Sequence, residues 1–129
     1  MPSTLPTARS PHILLVEDDD EVRRSLAMLL KSWGYTVEPY RSGADLLSLR
    51  RMPAADCLII DYKMPHMDGL DLMKQLKAGG VTLPAILITG FYSTSLEDRA
   101  KSTGYCKIIE KPMVNQVLQD TLASTLHAA

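Results

Sequence analysis

Leu58-Ile59-Ile60-Asp61-Tyr62-Lys63-Met64-Pro65, the stretch LIIDYKMP, ends a run of strand-forming apolar residues on a bare carboxylate. An ionised aspartate held against an apolar core is costly unless it is hydrogen-bonded, paired or bound to a metal. The position therefore demands a partner elsewhere in the chain. Comparable apolar runs occur at 13–16, 85–88 and 106–109, with a weaker, more polar one around Thr36-Val37.

Between these runs lie amphipathic segments. Val22, Leu26, Leu29, Leu30 and Trp33 recur at the spacing of one helix face, with Asp20 as the expected N-cap and Gly34 as the expected end. Val114, Val117, Leu118, Leu122 and Leu126 form a similar stripe in a last helix over 114–126, and both stripes are read as core. Further helices are expected near 42–51, with Ser42 as N-cap, near 70–78 and near 94–102. The result is five strand-helix units. Runs without alternation are the signature of strands covered on both faces, so the expected fold is a doubly wound α/β domain with a parallel sheet. Pro39 removes a ladder donor and puts strand 2 at an edge.

Composition agrees with one globular domain. The chain has 129 residues, 46% of them hydrophobic, and a net charge of -1, so it lacks the basic excess of a nucleic-acid-binding surface. No stretch is apolar for long enough to span a bilayer, and MPSTLPTARSP lacks the apolar core of a signal peptide, so a cytoplasmic location is expected. Residues 1–11 read as a mobile tail and residues 12–127 as the domain. Cys57 and Cys106 have no metal-ligand spacing and read as buried reduced thiols.

The polar residues that follow each apolar run are Glu17-Asp18-Asp19-Asp20 after strand 1, Asp61 after strand 3, Thr89 after strand 4 and Glu110-Lys111-Pro112 after strand 5. In an open parallel sheet these ends share one crevice, where ligands bind. Each residue alone has an ordinary reading: a solvated loop, a strand-end hydroxyl or a surface lysine. Together they put repelling carboxylates beside an amine and a hydroxyl. A divalent hard cation relieves such repulsion, and Mg²⁺ suits one or two carboxylates with room left for a phosphoryl oxygen. The crevice is equipped for phosphoryl transfer to a carboxylate, with Thr89 and Lys111 supplying a hydrogen bond and a charge.

The set LLVEDD, IIDYKMPHMDG, LITG and EKP resembles the receiver domain of two-component response regulators from His12 to about Leu126. The resemblance implies a (βα)5 flavodoxin-like three-layer sandwich with strand order 2-1-3-4-5. It implies that Asp61 accepts a phosphoryl group from the phosphohistidine of a sensor histidine kinase or phosphotransfer protein. It further implies that Asp18, Asp61 and the Lys63 carbonyl bind Mg²⁺ directly, that Glu17 acts through water, and that Thr89 and Lys111 contact the phosphoryl oxygens. The Lys111-Pro112 peptide is cis in such domains. Met64-Pro65 and Asp68-Gly69 shape the loop, with Gly69 supplying an unusual backbone angle. His66 is expected to be an exposed loop residue, and His12 and His127 have no assigned role.

Two departures bear on output. Receivers carry an aromatic residue three positions before the lysine, linked to movement of the threonine; here it is Ile108. Lys63 and Phe91 stand at positions that tune phosphoryl lifetime in the family, and a bulky Phe91 is expected to hinder water attack. A downstream protein is expected on the helix 4, strand 5 and helix 5 surface, and a homodimer is also compatible with the family. The chain reads as a signalling phosphoacceptor that catalyses only its own phosphorylation and dephosphorylation, and as a stand-alone regulator with no direct nucleic acid or membrane contact. The alternative is a receiver belonging to a larger transcriptional regulator or hybrid kinase. An aspartyl-nucleophile phosphohydrolase is a more distant option, because the position of its second acid holds Lys63. A nucleotide-binding module lacks its glycine-rich loop, and a non-phosphorylated scaffold would have no use for these groups.

Overall fold

The computed structural model describes residues 10–126. Residues 1–9 of the expected tail, and His127, lie outside the described residues. The elements alternate strictly: β1 (His12–Val16), α1 (Asp20–Ser32), β2 (Thr36–Tyr40), α2 (Gly43–Leu47), β3 (Cys57–Asp61), α3 (Gly69–Ala78), β4 (Ala85–Thr89), α4 (Thr94–Thr103), β5 (Lys107–Glu110) and α5 (Asn115–Leu126). All strand pairs are parallel, in the order β2-β1-β3-β4-β5. The expected fold class and strand order are thus observed, with β2 and its Pro39 at one edge.

Strand pleating divides the apolar residues between two cores. Leu14, Val16, Leu58, Ile60 and Leu87 face Leu46 of α2, Leu72 and Leu76 of α3, and Leu96 of α4. Ile13, Leu15, Ile59, Ile86 and Ile88 face Leu26 and Leu30 of α1 and Leu118 and Leu122 of α5. This is why β3 and β4 are buried at every position and show no alternation. Each buried Leu or Ile contributes about 1.5–3 kcal/mol, so the central strands anchor the ends that carry the polar residues.

Several local expectations change. The N-cap of α1 is Asp19, whose carboxylate accepts from the Val22 N–H at 2.9 Å. Asp20 is the first helical residue and pairs with Arg23. Gly34 follows the C-cap Trp33 with a φ of 96°, a conformation suited to glycine. α2 stops at Leu47 instead of reaching 51: the Ser48 hydroxyl bonds to the Asp45 carbonyl, the Leu49 N–H tightens onto the Leu46 carbonyl, and Pro53 lies ahead. Pro11, assigned to the tail, already accepts from the Thr36 N–H at 3.0 Å.

The α5 stripe is only half core. Leu118 and Leu122 are buried, whereas Val114 and Val117 are 60% and 48% exposed. α5 packs on one side of the sheet near the edge strand β5, so its other flank has no layer to cover it. Cys57 is buried as expected, but Cys106 just before β5 is exposed, and its thiol donates to the Ala85 carbonyl at 3.2 Å. Both thiols are free. Among the described residues no helix is long and apolar enough to cross a membrane.

Candidate functional site

Among the described residues, three polar side chains are buried at the carboxyl ends of the strands: Glu17 (1% exposed), Asp61 (4%) and Thr89 (0%). Glu17 directly follows β1, and its N–H is fixed to the Tyr40 carbonyl of β2 at 3.0 Å. Asp61 and Thr89 are the last residues of β3 and β4. Lys111 directly follows β5, and its N–H donates to the Thr89 carbonyl at 2.7 Å. The sheet thus places all four groups at one end.

The partner that Asp61 demanded is Lys111. The ammonium Nζ lies 3.0 Å from Asp61 Oδ1 and 3.2 Å from Glu17 Oε1, joining residues that are 50 and 94 positions away in the chain. The other Glu17 oxygen accepts from the Asp19 N–H at 3.1 Å. Glu17, the half-buried Asp18 and Asp61 each bring a carboxylate oxygen to a cluster within 4.8 Å. Three carboxylates against one ammonium leave an excess of negative charge, and the donors are all hard oxygens. That set fits a small divalent cation better than a soft or imidazole-seeking metal.

The electrostatics carry the mark of this crowding. Burial pushes the Asp61 carboxyl up to about 6, with the Lys111 hydrogen bond pulling it back and the Glu17 charge adding to the rise. Glu17 is also raised, first by burial, against the opposing pull of the Asp19 N–H and Lys111. Burial pulls Lys111 down, but the Asp61 and Glu17 carboxylates outweigh it and the net shift is upward. A charge-poor interior is forced to hold like charges, as at sites built to receive something.

Thr89 Oγ1 accepts from the Phe91 N–H at 2.8 Å, which leaves its own proton to donate. Lys63 is exposed, and its ammonium sits over the Phe91 ring, 5.8 Å from the centroid. Lys63 follows Asp61 at the end of β3 by two positions, and Phe91 follows Thr89 at the end of β4 by two. His66 is exposed, as expected, and it is this residue, with φ 70°, that takes the left-handed turn in the loop after β3. Gly69 has a different reason to be glycine than the backbone angle assigned to it. A Cβ there would stand 2.8 Å from the Asp61 carbonyl oxygen and 2.8 Å from Leu87 Cδ1. Asp68 and Asp71 cap α3 reciprocally and fix where the loop ends. The Lys111-Pro112 peptide is cis.

Sequence reasoning missed two residues near the site. Arg23 Nη1 donates to the Glu17 carbonyl at 2.9 Å while Nη2 pairs with Asp20; the Asp20 to Arg23 spacing is the only sequence signal, and it reads as an ordinary helix pair. Tyr105, 3% exposed, donates its hydroxyl to the Gly69 carbonyl at 2.7 Å. Nothing in the spacing of residues 36 apart announces that bond. His12 lies at the far end of β1, where its ring bonds to Thr36 and Glu38, away from the acidic cluster.

Residues 13–123 match the response regulator receiver domain family. The transcriptional regulatory protein FixJ of Azorhizobium caulinodans is 36% identical over 112 residues, covering 87% of this chain and 50% of the relative. The response regulator protein TodT of Pseudomonas putida is 32% identical over 121 residues, covering 94% of this chain and 53% of the relative. The chain therefore spans about half the length of these curated relatives. A signal receiver domain of a histidine kinase from Syntrophus aciditrophicus superposes with a TM-score of 0.76 at 32% identity, covering 93% of this chain and 92% of that one. A CheY-like receiver domain protein from Methanospirillum hungatei has the same fold, with a TM-score of 0.84 at 24% identity and coverage of 92% and 95%. With its strand order, its acidic crevice and a family match over almost the whole described chain, this protein belongs to the response regulator receiver domain family.

Proposed function

We propose that the chain accepts a phosphoryl group on Asp61 from the phosphohistidine of a sensor histidine kinase or phosphotransfer protein. The observation that carries this reading is the buried Asp61 carboxylate, paired to Lys111 at 3.0 Å and crowded by Glu17 and Asp18. An Asp61 oxygen attacks phosphorus, the P–N bond of the donor breaks, and the imidazole leaves with the electron pair and takes up a proton. The product is an acyl phosphate; attack by water returns the carboxylate and inorganic phosphate.

Asp18, Asp61 and the Lys63 carbonyl are the direct ligands we assign to Mg²⁺, with Glu17 acting through water. When bound, the ion supplies charge neutralisation for the incoming phosphoryl oxygens. Lys111 moves its pairing from Asp61 to a phosphoryl oxygen, and the Thr89 hydroxyl donates to another. Phe91, 63% exposed and held under the Lys63 ammonium, restricts the approach of water to the phosphorylated aspartate. A phosphohydrolase would place a general acid where this chain has Lys63.

Output goes to a downstream protein through α4, β5 and α5. That surface holds the exposed Val114 and Val117 beside the half-buried Ile108, rimmed by Glu110 and Lys111. A homodimer on the same face is a variant of this reading. The half-length matches to a transcriptional regulatory protein and a response regulator protein favour a second reading, in which the receiver serves a longer regulator; the length of the open reading frame tests it. For the phosphoacceptor reading, a labelled phosphohistidine donor is mixed with the protein in Mg²⁺ or in chelator. Transfer in Mg²⁺ that stops in chelator supports it, and no transfer in either refutes it.

A further inference from the structure

Gly69 closes the base of the loop that follows Asp61. Its N–H donates to the Tyr62 carbonyl at 2.8 Å, and its α-carbon lies so close to the Asp61 carbonyl that a Cβ would be at 2.8 Å. The remaining polar atom of Gly69, its carbonyl oxygen, accepts from the buried Tyr105 hydroxyl at 2.7 Å. A carbonyl in the first turn of a helix already has a partner four residues on, so the tyrosine takes its second lone pair. Phenylalanine would fill the same volume without that bond. The backbone of Tyr105 has a second attachment: its N–H donates to the Ala100 carbonyl in the last turn of α4, at 2.9 Å.

We propose that Tyr105 is a positioning residue that fastens the loop carrying Lys63 to the end of α4. Its hydroxyl fixes Gly69, Gly69 fixes the Tyr62 carbonyl, and the loop between them, which carries the Lys63 carbonyl assigned to Mg²⁺, is held at its base. The Ile108 side chain has no polar atom with which to make such a tie, whereas Tyr105 bonds both the acceptor loop and the end of α4. This inference rests on the phosphoacceptor reading for its consequence, but the tie itself does not depend on metal or phosphodonor.

The test is amide hydrogen exchange and Mg²⁺ titration of the wild type and Tyr105→Phe, followed by proton-nitrogen NMR. With a bond removed and the ring retained, the Gly69 amide should exchange about tenfold faster while β1 and α5 amides are unchanged, since the opening is local. The Mg²⁺ midpoint should rise several-fold in the variant, on the order of the same lost bond. Unchanged Gly69 exchange, or acceleration of all amides together, overturns the tie. Faster Gly69 exchange with an unchanged midpoint overturns the positioning role. A wild type with no response to Mg²⁺ overturns instead the reading of the acidic cluster, and the exchange result alone then decides the tie.

Discussion

Removing the charge of Asp61 should make the metal-free protein more stable, although it removes one partner of a buried ion pair. The Asp61 carboxyl rises from its ordinary 3.8 to about 6 in the folded state, first because of burial. At about 1.4 kcal/mol per pH unit, that rise corresponds to roughly 3 kcal/mol of penalty for the ionised form. The folded state holds this proton more tightly than the unfolded one. The contribution of Asp61 to stability is therefore greatest below about pH 4, falls as pH rises toward 6, and carries the full penalty above that. Asp61→Asn lifts the penalty but leaves Lys111 with Glu17 alone, which returns part of it; a net gain of about 1–2 kcal/mol remains at pH 7.5. For a domain of this size that is on the order of 4–8 °C in Tm. The assay is urea and thermal unfolding in chelator at pH 4.5 and 7.5. The variant should be more stable at pH 7.5, with most of the gain gone at pH 4.5. Mg²⁺ at about a hundred times its Kd should then stabilise the wild type by about 2.7 kcal/mol and the variant by less, closing or reversing the difference. A variant less stable than wild type in chelator at pH 7.5 would refute the reasoning, because Asp61 would then be a net stabilising member of the pair.

Two other substitutions test the surroundings of the site. Gly69→Ala forces a Cβ against the Asp61 carbonyl and Leu87, both at 2.8 Å, and should cost about 1–3 kcal/mol in urea unfolding while slowing phosphorylation; an unperturbed variant would show that the loop yields freely. Phe91→Ala opens the crevice and removes the surface under Lys63, so decay of the phosphorylated form should be faster, on the order of severalfold. A wild-type half-life shorter than that of the variant would contradict the shielding role.

How far the sequence could be read follows from where the information lies. β1, β3 and β4 are visible because burial on both faces demands unbroken apolar runs, and the polar residues that end them had to converge once the sheet was parallel. Glu17, Asp61, Thr89 and Lys111 were legible on that ground alone. The exposure of Val114 and Val117 was not, since the periodicity of α5 is the same whether or not a layer covers its outer flank. The need for glycine at 69 comes from a close approach of two chain segments, which no local pattern encodes. The same holds for the Tyr105 to Gly69 bond and for Arg23 at the Glu17 carbonyl, both made by side chains whose sequence neighbours suggest other roles. Short-range competition ended α2 early, where Ser48 bonds to Asp45 within the last turn.

In the proposed function, Asp61 is the one residue that receives the phosphoryl group. Incubation of the wild type and Asp61→Asn with Mg²⁺ and a small-molecule phosphodonor, followed by intact mass measurement, tests it most directly. The expected result is the gain of a single phosphoryl group by the wild type and none by the variant. No gain by the wild type, or an equal gain by Asp61→Asn, would contradict it.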